Sequence, residues 1–272
     1  MNIPSPFLHR VVLSLRRCSL TEGIKFLSVL GAVTYLLVRG TETLGYHWQW
    51  YRVPSYVFSF ESGALKAGLL LEGLAVTIQI AGISLVFTLA LGLIAALFRL
   101  SNAFMARVLS RGYVELIRNT PLIVQLFFIY FVLSPVLDVG RFASAVLALS
   151  LFEGAYVSEI IRAGILSIQK GQWEAAYSLG LSRMDTYRYV ILPQAIRHML
   201  PPLASQAISL IKDSALVSTI AIYDLTMQGQ AIIAETYLTF ELWFTVAAIY
   251  LVMTLTLSVT VRIMEKRFSI RS

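Results

Sequence analysis

The sequence predicts an all-α integral membrane protein of about six transmembrane helices, and three observations carry that expectation. Of its 272 residues, 57% are hydrophobic and 14% charged, against roughly 45–50% and about 25% in a soluble domain. The apolar residues fall in charge-free runs close to the roughly 20 residues that cross about 30 Å of hydrocarbon. The cations stand at the ends of those runs and, once six spans are counted, on one side of the membrane.

The first span is the weakest. Only Phe26 to Val38 lies between Lys25 and Arg39, and with Arg10, Arg16 and Arg17 ahead of it the stretch also reads as a signal peptide. No small-residue cleavage site follows, so an uncleaved anchor starting near Thr21, with Lys25 snorkelling, is the preferred reading. An interfacial helix and a removed signal are the alternatives. The stretch from Gly40 to Leu70 is rich in rings, among them Tyr46, Trp48, Trp50, Tyr51, Tyr56, Phe58 and Phe60. It reads either as an interfacial belt or as a surface for an external partner.

Gly73 to Phe98 carries no charge and is the clearest span. Asn119 to Leu137 is a third, with Pro121 near its start, where a helix tolerates proline. Phe142 to about Arg162 is apolar but for Glu153 and Glu159. Met199 to Tyr223 is apolar but for Lys212 and Asp213, and Leu242 to Val261 completes the set. With the N-terminus inside, 17 of the 22 lysines and arginines fall on inner segments. That asymmetry predicts both termini cytoplasmic. The expected organisation is an N-terminal arm, extra anchor helix and aromatic loop over 1–70, then a transmembrane domain over 71–268 with its longest inner loop over about 163–198.

The formal net charge of +7 is explained by topology, so no nucleic-acid partner is expected. Cys18 is the single cysteine and the three histidines are scattered. No H-E-x-x-H, G-x-S-x-G or G-x-x-x-x-G-K-[ST] pattern occurs, so neither a metal, an esterase elbow nor a nucleotide-cradling loop is expected.

Charges within spans are costly, about 2.5–3.5 kcal/mol each at mid-bilayer on insertion scales. Glu153 and Lys212 sit at similar depth in the fourth and fifth spans. Either they pair, or they line a path in which Glu153 holds a substrate ammonium and Lys212 or the Asn119-Thr120 backbone a carboxylate. Gln125, Tyr156, Asp213 and Ser214 join that candidate path. Glu159 with Arg162, and Glu115 with Arg118, have the spacing of local ion pairs. Gln79 and Gln206 read as interhelical hydrogen-bond donors.

The inner loop holds Glu174-Ala175-Ala176-Tyr177-Ser178-Leu179-Gly180 and, nine residues on, Val190-Ile191-Leu192-Pro193. Gln172 to Leu179 should be helical and end at Gly180, and a second short helix should run from Arg183 to Leu192, stopped by Pro193. This spacing resembles the EAA loop of ABC importer permeases, with Val190 in place of isoleucine. The stretches Glu72 to Ile78, Tyr113 to Leu122, Gly154 to Arg162 and Lys212 to Leu216 resemble the polar amino acid branch. The resemblance covers about residues 70–268 and leaves the first 70 uncovered.

The resemblance implies a type I ABC importer permease fold, half of a dimeric channel for an amino acid in a bacterial inner membrane. It implies that Glu174, Ala175, Ala176, Gly180, Leu192 and Pro193 couple the chain to an ATP-binding cassette subunit. That partner would bind ATP and Mg, while this chain binds no cofactor and catalyses no covalent step. A second permease subunit, identical or homologous, and an extracytoplasmic solute-binding protein are the other expected partners, with membrane lipid around them. A secondary transporter and a membrane assembly protein are the alternative classes.

Overall fold

The computed structural model describes residues 20–43, 45–61 and 64–268. The N-terminal arm with Arg10, Arg16 and Arg17 lies outside the described residues. The chain divides into two compact units, Met1–Gln49 and Trp50–Ser272. The first contains α1 (Leu20–Thr43), whose Gly23–Gly40 stretch is apolar enough to cross a membrane.

The second unit opens with a 3-10 turn at Trp50–Arg52 and one helical turn at Pro54–Val57. A hairpin follows. Strand β1 (Phe58–Glu61) pairs antiparallel with β2 (Ala64–Ala67), Phe58 opposite Ala67 and Glu61 opposite Ala64. The aromatic stretch therefore includes a small sheet, in keeping with the β preference of Phe58 and Phe60 in its first strand.

Helix α2 (Leu69–Leu100) is 32 residues long, about 48 Å at 1.5 Å per residue. Helix α3 (Phe104–Arg118) leads to α4 (Leu122–Leu137), and the two axes bend by 108°. Within the expected third span, the helix thus starts at Leu122, not Asn119. Pro121 is extended (φ −63°, ψ 140°) and forms the N-cap of the helix. Helix α4 contains a π stretch, Phe128–Leu133.

Helix α5 (Arg141–Leu166) packs along α2, and the contact is close because its surfaces are small. A Cβ on Gly92 would collide with Val157, and one on Gly154 would stand 3.2 Å from Leu91 Cβ. Close approach through small residues is how helices associate where no hydrophobic force separates protein from lipid. Helix α6 (Lys170–Ser178) follows.

The chain then turns helical at Arg183–Asp185, passes a π stretch at Thr186–Ile191 and continues as α7 (Leu192–Asp213). Pro193 therefore does not stop a helix. It occupies the first turn of α7 immediately after the π stretch, whose looser spacing relieves the clash that proline makes in a regular helix. A 3-10 stretch, Ser214–Ile220, extends α7, and Ala221 reverses the chain at φ +57°. Helices α8 (Leu225–Thr236) and α9 (Thr239–Phe268) complete the unit.

By length and apolarity, four described helices can cross a bilayer, or five if α3 and α4 form one bent span. Helix α7, the expected fifth span, carries Pro201 and Pro202 and is not among them. Six is thus an approximate count for an otherwise all-helical membrane fold. Three main clusters build the core: Leu126, Leu149, Leu210 and Val217 in the middle, Ile161, Ile165, Ile191 and Met199 toward the loop, and Leu70, Leu225, Leu238 and Leu242 at the far end.

Candidate functional site

The loop between α5 and α7 is built as a rigid projection. Gly180 adopts φ +75°, which glycine takes without steric penalty. Its N–H donates to Tyr177 O (2.9 Å) and the Leu181 N–H donates to Ala176 O (3.2 Å), the paired bonds of a Schellman terminus. Ser182 then caps the next turn, accepting from the Asp185 N–H (3.2 Å). Trp173 stands edge-on to Tyr187, ring centroids 5.0 Å apart, and Gln194 Nε2 donates to Gln172 Oε1 (3.2 Å). These contacts clamp α6 against the start of α7.

Burial sorts the predicted loop residues. Ala176 is buried against the α7 run, whereas Glu174, Ala175, Gly180, Leu192 and Pro193 reach the surface. Around them stand exposed apolar side chains, Leu179 (81% exposed), Met184 and Tyr189. An exposed apolar group rimmed by Lys170, Glu174, Arg183 and Arg188 has the character of a protein-docking surface.

In the middle of the bundle, Glu153 is fully buried. Its Oε2 accepts a hydrogen bond from Gln206 Nε2 on α7, and its Oε1 has no hydrogen-bond partner. Lys212 and Asp213 lie within electrostatic reach of Glu153, but no ion pair joins Glu153 to Lys212 among the described residues. Lys212 is exposed, Asp213 half-buried and Ser214 buried. Gln206, read from sequence only as an interhelical donor, is the group that meets Glu153. Gln79, read the same way, is exposed on α2.

Asn119, Thr120 and Gln125 gather at the bend between α3 and α4. Gln125 Nε2 donates to Ile117 O (2.8 Å) and contacts Thr120 Oγ1 (2.8 Å), while Asn119 Nδ2 donates to Glu115 O (2.7 Å). These side chains hold the elbow closed, and Gln125 Oε1 is buried without a partner. Tyr156 packs on Phe152 and lies under the Arg118 guanidinium, 5.3 Å from its centroid. Among the described residues Arg118 forms no ion pair with Glu115, whose Oε2 instead accepts from Asn119 Nδ2 (3.2 Å). Glu159 does pair with Arg162 (2.8 Å) and also with Arg99 from α2, a cross-helix partner that spacing along one helix could not reveal.

At the opposite end Asp224 is fully buried. Its Oδ1 accepts from the Met227 N–H (2.9 Å), capping α8, and its Oδ2 accepts from the Tyr250 hydroxyl (3.4 Å). Burial pushes its pKa up to about 6. The local signal was an Asp directly before an apolar helical run. An open apolar groove of about 770 Å³ between α2 and α9, lined by Trp50, Leu74, Ile78 and Phe244, contains none of the predicted polar residues.

Comparison with known proteins adds a family match, two relatives and two solved structures. Residues 88–270 match the family described as binding-protein-dependent transport system inner membrane component. The chain is 44% identical over 205 residues to the glutamine transport system permease protein GlnP of Escherichia coli (strain K12), covering 74% of this chain and 94% of that one. It is 43% identical over 198 residues to the L-cystine transport system permease protein TcyB of Bacillus subtilis (strain 168), covering 72% and 84%. Among solved structures, a crystal structure of an amino acid ABC transporter with histidines superposes with a TM-score of 0.70 at 41% identity, over 73% of this chain and 94% of that one. An inward-facing MetNI methionine ABC transporter shares the fold at a TM-score of 0.62 and 19% identity.

Proposed function

The chain belongs to the binding-protein-dependent transport system inner membrane components, as an amino acid ABC importer permease, and from that premise we propose that it couples an amino acid path to a partner's ATP hydrolysis through α6. The observation that carries the coupling is the clamped α6–Gly180 projection with its exposed Leu179, Met184 and Tyr189. A short helix presented rigidly suits docking in a partner's groove. In this reading Glu174, Ala175, Gly180, Leu192 and Pro193 form or shape the docking face, and Ala176 anchors α6 to the bundle.

ATP and Mg are bound by the cassette subunit. The chain works as half of a channel with an identical or homologous permease, and an extracytoplasmic solute-binding protein delivers the amino acid. The permease domain is 71–268, in the bacterial inner membrane with both termini cytoplasmic, as the 17 inner cations argue. ATP binding and hydrolysis shift the population between two arrangements of the bundle.

Glu153 lies on the substrate path, its carboxyl meeting a substrate ammonium while Gln206 fixes Oε2. Asn119, Thr120, Gln125, Tyr156, Lys212, Asp213 and Ser214 flank it. A purely structural Glu153–Gln206 contact is the competing reading, favoured by their direct hydrogen bond.

The test is detergent co-purification with the ATP-binding subunit encoded alongside, comparing wild type with Gly180→Arg. A Cβ at Gly180 meets open space, so the bundle should fold while the loop direction changes. Loss of the complex in the variant alone supports the reading. Equal recovery of the complex from both proteins overturns it.

A further inference from the structure

We propose that α3 is a binding site for an anionic phospholipid of the cytoplasmic leaflet, held by the paired guanidiniums of Arg107 and Arg111. The leaflet rests on the orientation proposed above. The site itself rests on three observations.

The first is direction. Helix α3 meets α4 at 108°, so if α4 crosses the membrane, α3 lies close to the membrane plane. Its level is set by Arg99, at the end of α2. Arg111 and Arg118 both lie within electrostatic reach of that guanidinium, and Ser110 Oγ donates to Ala95 O (2.7 Å). An in-plane helix at the mouth of the inner leaflet follows.

The second is its cross-section. Ser110, Val114 and Ile117 are buried against α2 and α5. At 100° per residue, the opposite flank carries Phe104, Met105, Val108, Leu109 and Leu116, all exposed. Between the two flanks runs a stripe of Arg107, Arg111 and Arg118, with Glu115 its only acid. One apolar flank on protein, another on lipid and a basic edge toward water is the pattern of a helix seated at a bilayer surface.

The third is vacancy of charge partners. Arg118 stacks on Tyr156, and Arg99 pairs with Glu159. Among the described residues Arg107 and Arg111 enter no ion pair, and Arg107 Nε is buried without a hydrogen-bond partner. They lie one turn apart on one edge, a spacing that two guanidiniums can close on one phosphate. The acyl chains then cover Phe104, Val108 and Leu109. Lipid phosphates matched to a basic edge beside an apolar flank meet both demands at once.

Native mass spectrometry of the full chain, released from detergent in the presence of phosphatidylglycerol or phosphatidylcholine, tests this. Wild type should retain phosphatidylglycerol in preference. Arg107→Gln with Arg111→Gln should reduce that preference about 30-fold, on the scale of two basic groups at about 1 kcal/mol each at an anionic surface. Arg107→Lys with Arg111→Lys should keep most of it. Arg183→Gln with Arg188→Gln, an equal charge change on the distant loop, should leave it unchanged. Equal retention of the two lipids by wild type overturns the proposal, as does an unaltered preference in the Gln pair. Disulfide capture between two copies at Leu109→Cys in native membranes also overturns it, because protein would then cover the flank. In a Cys18→Ser background, impermeant maleimide at Ser101→Cys separates the leaflet from the site. Labelling in inside-out vesicles is expected, and labelling only in right-side-out vesicles overturns the assigned leaflet while the lipid preference is still read.

Discussion

Asp224 caps α8 from a site closed to solvent, so its proton affinity is tied to folding. Its pKa of about 6 lies above the 3.8 of an unperturbed aspartate. The folded state therefore holds the proton more tightly than the unfolded one, and the resulting stabilisation is complete below about pH 4 and lost as pH rises through about 6. In detergent, the melting temperature of wild type should fall relative to Asp224→Asn between pH 4.5 and pH 7.5. A difference that is constant, or that grows in favour of wild type with rising pH, would contradict this. At the bundle centre, Glu153→Gln keeps a partner for Gln206 and should melt within a few degrees of wild type, yet lower amino acid uptake if Glu153 faces the path. Gln206→Leu strips a donor from a buried acceptor and should cost about 1–3 kcal/mol of stability, read as an earlier thermal transition. Unchanged uptake in Glu153→Gln would leave the carboxylate a structural role only.

At the scale of elements, α6 owes its direction to its terminus. Gly180→Ala places a side chain at φ +75°, a strain of about 1–2 kcal/mol, without any clash. Leu179→Asp and Ala176→Asp divide the surfaces of the helix. Leu179 is exposed, so its variant should fold as wild type and fail to recover the ATP-binding subunit. Ala176 is buried, so its variant should lower the melting temperature and yield of the chain itself. Identical behaviour of the two variants would mean that exposure does not mark the docking side. Much of this element was legible in the sequence, because a helix followed by glycine leaves a local signature in residues 172 to 180. Pro193 was misread for an equally physical reason. Proline bars a regular helix, but a π stretch is a long-range accommodation that composition does not announce. The 108° elbow was not legible: Pro121 was read as a tolerated proline near the start of a span, whereas the bend falls there and Gln125 reaches back across it to Ile117.

Across the whole molecule, the charge-free runs gave the membrane class, since it follows from what a bilayer admits. Partners between helices stayed hidden. Glu159 to Arg99, Glu153 to Gln206 and Thr77 to the Leu225 N–H join residues 53 to 148 positions apart, or pair across helices where one-dimensional spacing has no meaning. The α2–α5 seam carries the architecture, so Gly92→Leu, which drives a large side chain into Val157, should reduce the monodisperse yield severely in size-exclusion chromatography. A normal elution profile would show the seam to be dispensable. One feature has mechanical weight: helical backbone runs from Arg183 through Gln206 to Ile220 without a hinge residue at positive φ. The run carries helical phase from the docking end toward Gln206, with Pro201 and Pro202 as the points where it can bend. Inserting one alanine between Ile196 and Arg197 advances the phase by about 100° and should disengage Gln206 from Glu153 while leaving α6 seated. A further insertion of three would bring four in total, about one turn, and return the two ends nearly to phase.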